Sequence, residues 1–141
     1  MAADSTIIIQ ALFRNKVAGN DYEASVPSNA GSKEFEIPFD FTTADGAQVY
    51  TGMAIANLDP NNSATLTCAA RDSTGAVIPA AFDASDRPPV LSPLGHWSGY
   101  LFAGLLGQRG TIDCVSTTTV AATALRFLGI NAFSSLTVIN K

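Results

Sequence analysis

The sequence predicts an all-β protein, a two-sheet antiparallel β-sandwich of the immunoglobulin-like or jelly-roll-like kind. Turn-forming residues recur about every 8–12 residues, between short runs that are rich in β-branched side chains. Within several of these runs apolar and polar residues alternate, as is typical of strands with one buried face. No segment indicates a long helix, so we expect about nine or ten strands and at most one short helical turn.

The size and composition fit a single domain, residues 1–141. The chain has 141 residues, of which 47% are hydrophobic and only 14% are charged. Charged residues usually make up about a quarter of a protein, so a surface with this few charges could pack against other copies. A well-filled core is the commoner reason for such a composition. The net charge of −4 argues against nucleic acid as a partner. No apolar run is long enough to insert into a membrane.

The first two predicted strands form a hairpin. Residues 6–14 (TIIIQALFR) begin with Ile7, Ile8 and Ile9 after a threonine, and isoleucine is a strong strand former. Residues 18–21 (AGND) provide a turn. Residues 22–27 (YEASVP) alternate and return alongside the first strand.

The next two strands have clear inward faces. Residues 34–39 (EFEIPF) place Phe35, Ile37 and Phe39 on one side and the glutamates on the other. Pro38 lacks a backbone N–H, so the strand is expected to lie at an edge or to end there. After a turn at residues 44–46 (ADG), residues 49–57 (VYTGMAIAN) form the following strand.

The middle of the chain continues as hairpins. Residues 63–71 pair back through the turn at 58–62 (LDPNN), and residues 76–82 follow the turn at 72–75 (DSTG). Residues 83–93 contain three prolines and predict a long connection that crosses between the sheets. Residues 95–101 form a strand and 102–107 one helical turn. The last strands are predicted at residues 110–115, 121–127 and 133–139.

The two cysteines lie in predicted strands. Cys68 shares a face with Leu66 and Ala70, and Cys114 shares one with Ile112, so both point inward. Two inward cysteines on distant strands predict a disulfide that bridges the two sheets, as in immunoglobulin domains. The alternative is two buried free thiols.

Blocks along nearly the whole chain carry a resemblance to a known family. They include, in order, residues 11–14 (ALFR), 21–24 (DYEA), 26–27 (VP), 37–40 (IPFD), 51–57 (TGMAIAN), 64–67 (ATLT), 71–72 (RD), Gly75, 95–96 (GH), 109–111 (RGT), 124–127 (ALRF) and 132–136 (AFSSL). The chain resembles a β-sandwich module found in large exported proteins of acidobacterial-type soil bacteria. The resemblance implies export and a supporting role beside other extracellular domains. The family carries no established catalytic residues, and its usual pattern lacks the two cysteines.

The residues themselves do not indicate an enzyme. The one histidine, His96, would need a serine such as Ser92 or Ser98 and a carboxylate such as Asp86 to form a triad, and no nucleophile-elbow Gly-x-Ser-x-Gly occurs. Turn aspartates usually accept hydrogen bonds from nearby backbone amides. A calcium site from these loops is the weaker alternative, since no EF-hand spacing is present. We therefore expect no cofactor and no metal.

Two surfaces are candidates for binding. Trp97, Tyr100 and Phe102 form an aromatic group that could stack on the rings of a polysaccharide, although core packing is the commoner fate of such side chains.

The second candidate is the N-terminal strand, whose apolar residues are Ile7, Ile8, Ile9, Ala11 and Phe13. It could join the open sheet edge of another copy and build a filament or surface layer, or it could pair only within its own sheet. We expect a non-catalytic structural or adhesive module, with a carbohydrate-binding module as the alternative. The expected location is extracellular or on the cell surface, although residues 1–4 (MAAD) do not form a signal peptide.

Overall fold

The computed structural model describes residues 10–17, 19–78, 90–100, 103–129 and 132–141. This part of the chain contains ten β-strands and a single 3-10 turn at Ala103–Leu105, as the sequence predicts. The strands are β1 (Gln10–Val17), β2 (Asn20–Pro27), β3 (Ser32–Asp40), β4 (Thr43–Ala44), β5 (Ala47–Asn57), β6 (Leu66–Asp72), β7 (His96–Tyr100), β8 (Arg109–Leu128), β9 (Ala132–Leu136) and β10 (Ile139–Asn140).

Strand β8 organises the whole fold. It has 20 residues and is antiparallel to every strand that it pairs with. Its first half lies between β3 and β6, and its second half lies between β5 and β9. The sequence predicts two strands here. The structure joins them through Thr117, Thr118 and Thr119, whose β-branched side chains favour an extended backbone.

The two halves of β8 face each other because the strand folds back on itself. Asp40 pairs with Arg109 at one end of β8. The Asp40 carboxylate also lies 3.1 Å from the guanidinium of Arg126, near the other end. In a straight strand positions 109 and 126 would be about 55 Å apart. The result is a β-sandwich with sheets β10-β3-β8-β6 and β7-β5-β8-β9, while β4 extends the edge of the second sheet.

The core lies between these two sheets and follows from the period-two alternation of the strands. In β8 every even-numbered residue from Ile112 to Ala124 is buried. Phe35, Ile37 and Phe39 of β3 are buried as predicted. Burying one such large apolar side chain stabilises a fold by about 1.5–3 kcal/mol. β3 runs past Pro38 to its end at Asp40, but only β8 pairs with it there, so the strand is locally an edge.

The β1–β2 hairpin forms a separate two-stranded sheet. It lies against the outer face of the β7-β5-β8-β9 sheet, with β2 closest to β9. Ala24 and Val26 of β2 are buried there, so the hairpin adds a third layer to part of the sandwich.

Two predicted segments are only partly described. Of the strand predicted at residues 76–82, Val77 forms an isolated bridge with Arg71, and the rest from residue 79 lies outside the described residues. Ile7, Ile8 and Ile9 also lie outside them, as does most of the predicted crossover connection.

Candidate association surface

Among the described residues, β1 has an open outer edge of eight residues, and β2, which pairs only with β1, has another of the same length. Within the described residues β1 pairs with β2 alone, over its full length from Gln10–Pro27 to Val17–Asn20. Val17 and Asn20 flank a two-residue connection, so the carbonyl of Val17 and the amide of Asn20 are placed to form the hydrogen bond that closes the turn.

Starting from the Val17–Asn20 pair, the backbone N–H and C=O groups of successive β1 residues point alternately toward β2 and away from it. In an antiparallel ladder, every second residue directs both its N–H and its C=O at the partner strand. The odd-numbered residues of β1 therefore bond to β2. The even-numbered residues direct their backbone groups away from it, and these are Gln10, Leu12, Arg14 and Lys16.

The side chains of β1 are exposed on both faces of the hairpin. Leu12 is 63% exposed and points away from the domain. Phe13 is 41% exposed and points toward the domain, on the same face as Ala24, which lies directly opposite it. A strand with exposed apolar side chains and unpaired backbone groups is a template for another strand.

The basic side chains of β1 stand opposite acidic side chains of β2. Arg14 forms an ion pair with Glu23, the residue opposite it on β2. Lys16 likewise lies opposite Asp21. The basic residues of β1 therefore do not leave the open edge strongly positive.

An apolar slot of about 260 Å³ separates Phe13 from the sandwich. The floor comes mostly from the outward positions of β5, β7 and β8, and its lining side chains carry no charge. The ring of Phe127 lies over Gly52, where a Cβ would come within 3.0 Å of it. The slot is therefore a shallow uncharged space between the hairpin and aromatic side chains.

Four aromatic rings line up on this outer face: Tyr50, Tyr100, Phe127 and Phe133. Successive ring centroids are 6.0, 5.6 and 6.0 Å apart. The rings are tilted by 59°, 68° and 36°, so they pack on one another rather than forming one flat platform. Tyr100 is 63% exposed and is the most accessible of the four.

The aromatic group predicted from the sequence is not brought together as a unit. Trp97 and Tyr100 are an odd number of residues apart on β7, so they point to opposite faces. Trp97 packs at the margin of the core, whereas Tyr100 points outward. Phe102 lies outside the described residues. Phe127 was not predicted as a neighbour of Tyr100, although the outward direction of its side chain on β8 could have indicated this contact.

The predicted disulfide between Cys68 and Cys114 is present. The two residues stand directly opposite each other on β6 and β8, with their Cα atoms 4.1 Å apart. The bond therefore links neighbouring strands of one sheet, and the prediction that it bridges the two sheets is wrong. The alternation of side chains along each strand identified the inward direction of both cysteines. It could not show that β6 and β8 are neighbours.

Several charged groups are paired in ways that stabilise strands. The ammonium group of Lys141 lies 2.6 Å from an oxygen of Asp113 and 2.8 Å from an oxygen of Glu36. These contacts raise the pKa of Lys141 to about 12. The hydrogen bond from Lys141, with further help from Arg71, lowers the pKa of Asp113. The cluster ties β10 to β3 and β8.

The carboxylates near turns are also held in their charged form. Burial alone would raise the pKa of Asp40, but hydrogen bonds from Thr42 and the Arg126 guanidinium together lower it. The hydroxyl and amide of Thr74 lower the pKa of Asp72. This is the local role that the sequence analysis expects for turn aspartates.

His96 has an exposed side chain at the start of β7, on the same outward face as Ser98, and Asp86 lies outside the described residues. Among the residues that the structure describes, no three metal-binding side chains cluster. Nor does the described part contain a helix of the length and hydropathy needed to cross a membrane. No protein-family model, curated protein or solved structure matches the chain.

Proposed function

We propose that this chain is a non-catalytic structural and interaction module of an exported bacterial protein, which associates through β1 with other copies or with other extracellular domains. The open edge of β1 carries the proposal, because Leu12 and Phe13 are exposed and the even-numbered backbone groups lack a partner within the described residues. Strand addition at such an edge is a common mode of protein recognition.

The disulfide supports the extracellular part of this proposal. Disulfides persist in oxidising compartments and are rare in the bacterial cytosol. Cys68 and Cys114 are bonded at neighbouring positions of one sheet.

The form of the assembly depends on which edge β1 meets. If β1, with the preceding Ile7, Ile8 and Ile9, joins a different strand on the next copy, the contact repeats head to tail and gives a filament or surface layer. If β1 meets β1 of a second copy, the contact closes on itself.

A matched pair of substitutions at one position tests the proposal. The amide of Leu12 points away from β2, so Leu12→Pro removes a donor only from the open edge. Leu12→Thr removes the same apolar side chain but keeps the amide and the strand preference. In sedimentation velocity over a range of concentrations, we expect the wild type to associate, Leu12→Thr to associate more weakly and Leu12→Pro to remain monomeric.

Two results would count against association through β1. One is a wild-type chain that stays monomeric at every concentration. The other is a Leu12→Pro variant that is folded by circular dichroism and associates as strongly as the wild type.

Carbohydrate binding is the second candidate function, and the exposure of Tyr100 beside the uncharged slot favours it. A free aromatic face can stack on the apolar face of a sugar ring. Affinity electrophoresis in gels that contain soluble polysaccharides tests it. Tyr100→Ala should abolish retardation and Tyr22→Ala, on the hairpin, should not. If no polysaccharide retards the wild type, this candidate is excluded for the polysaccharides tested.

A further inference from the structure

We infer that a neutral polysaccharide chain binds in a trough between the β1–β2 hairpin and the outer face of the β7-β5-β8-β9 sheet. This inference rests on carbohydrate binding, the second candidate function. It adds the class of glycan, the length of chain that the site holds and the residues that line the site beyond Tyr100.

The trough consists of three adjoining spaces. The apolar slot beside Phe13 has a volume of about 260 Å³. A second space of about 470 Å³ adjoins it, because Ala54, Ser98 and Thr123 line both. A third space of about 280 Å³ continues past Asn29 to β9 and also touches Thr123. The trough therefore runs from the aromatic rings around Tyr100 along the sheet to the loop after β2.

The floor of the trough is unusually low along β5. Three successive outward positions of this strand have no side chain larger than a methyl group: Gly52, Ala54 and Ala56. β7 places Tyr100, Ser98 and His96 directly beside them. A strand rises about 13 Å over four residues, so this floor is longer than one sugar ring.

Packing of the hairpin does not explain these small side chains. The hairpin approaches the sheet most closely where β2 lies against β9, not over β5. Phe13, the β1 side chain above the floor, remains 41% exposed and leaves the slot open. The low floor therefore provides space that the described residues do not fill.

The lining side chains suit a neutral sugar chain. Among the described residues around the three spaces, none is an aspartate, glutamate, lysine or arginine, so no ion pair is offered to an acidic polysaccharide. A sugar ring has apolar faces and a rim of hydroxyl groups. Phe13 and Tyr100 offer exposed aromatic surface for the faces.

Hydroxyl groups complete the lining. The side chains of Ser98, Ser135 and Thr137 are exposed along the trough and can form hydrogen bonds with sugar hydroxyls. A wholly apolar ligand would cover them without replacing their hydrogen bonds to water, which costs free energy. A few polar groups in a mostly apolar lining are typical of ligand sites, where the polar groups orient the ligand.

Affinity electrophoresis of the full-length chain tests the trough. The gels contain hydroxyethylcellulose, glucomannan or dextran as neutral polysaccharides, or polygalacturonate as an acidic one. We expect at least one neutral polysaccharide to retard the wild type and polygalacturonate not to. Phe13→Ala should weaken the binding at least about fivefold. Leu12→Ala is the matched control, since Leu12 is the adjacent exposed residue and points away from the domain.

A second pair of variants changes the floor instead of the hairpin. Ala54→Ile raises the floor without adding an aromatic ring, and isoleucine is compatible with a strand. It should weaken binding at least about tenfold, because a sugar ring no longer fits between Phe13 and β5. Thr67→Ile, at an exposed position of β6 in the other sheet, should bind like the wild type. Circular dichroism confirms that both variants are folded.

Competition with short oligosaccharides tests the length of the site. The trisaccharide of the polysaccharide that binds should compete at least about tenfold better than the monosaccharide, because additional rings gain contacts along the floor. A site limited to Tyr100 holds one ring, and the two sugars would then compete about equally.

The outcomes separate the trough from the function on which it rests. If Tyr100→Ala abolishes retardation but Phe13→Ala and Ala54→Ile bind like the wild type, the trough is wrong and carbohydrate binding at Tyr100 stands. Retardation by polygalacturonate alone overturns the neutral class. If none of the four polysaccharides retards the wild type, both the trough and the second candidate function fail.

Discussion

Removal of the Cys68–Cys114 disulfide should destabilise the domain strongly. The bond closes a loop between residues 46 positions apart in sequence. For a loop of this length, the chain-entropy model gives about 4 kcal/mol of stabilisation, through restriction of the unfolded chain. Replacement of both cysteines by alanine also removes sulfur atoms that pack against the core, which adds about 1 kcal/mol. Because the free energy of unfolding of a small domain is only about 5–15 kcal/mol, a loss of about 5 kcal/mol would remove a large share of it.

Urea unfolding followed by fluorescence measures this loss. The chain has one tryptophan, Trp97, which packs at the margin of the core and should report on unfolding. The control is Thr67→Ala/Val115→Ala, which replaces the neighbouring directly opposed pair on the same two strands. That pair lacks a covalent link, so its loss should cost at most about 1 kcal/mol. If the double cysteine variant is no less stable than this control, the reasoning is wrong.

Three further perturbations test the packing and the charges. Asn57→Ala should cost about 2–3 kcal/mol in urea unfolding, because the buried amide donates to two loop carbonyls and accepts from Thr118; a loss below about 1 kcal/mol contradicts this. Gly110→Ala should lower the Tm by roughly 10 °C, because a Cβ there would lie 1.8 Å from a backbone carbonyl of β6; an unchanged Tm argues against that contact. The pKa of Asp113 is lower in the folded chain than the ordinary value of 3.8, so as the pH falls this carboxylate is protonated first in the unfolded chain. The stability that the charged Asp113 contributes is therefore present above pH 3.8 and is lost as the pH falls through the pKa of the folded state. Asp113→Asn should therefore lower the Tm at pH 7 more than at pH 3, and an equal effect at both would refute the assignment.

Local alternation predicted much of the sandwich. In β3 the sequence order of Phe35, Ile37 and Phe39 is enough to define the buried face, since strand side chains alternate regardless of what lies opposite. The same parity showed that Cys68 and Cys114 point inward. Turn-forming residues located most of the connections for similar reasons, because glycine, asparagine and aspartate tolerate turn backbones that other residues avoid.

Strand pairing could not be predicted in the same way. Which strand lies beside β8 is a long-range property, and for this reason the disulfide was assigned to opposite sheets. The continuation of β8 through Thr117–Thr119 was missed because a strand that bends back shows no turn residue in its sequence. The aromatic neighbours of Tyr100 lie on β5 and β8, far away in the sequence, and the next ring, on β9, packs against Phe127.

Hydrogen exchange of the β1 amides, measured by NMR across a range of protein concentrations, tests the association surface most directly. The amides of Leu12 and Arg14 point to the open edge, and those of Phe13 and Asn15 point to β2 and serve as internal controls. Association through β1 predicts that exchange at Leu12 and Arg14 slows as the concentration rises, while exchange at Phe13 and Asn15 stays constant. Exchange at Leu12 and Arg14 that does not change with concentration would contradict the account.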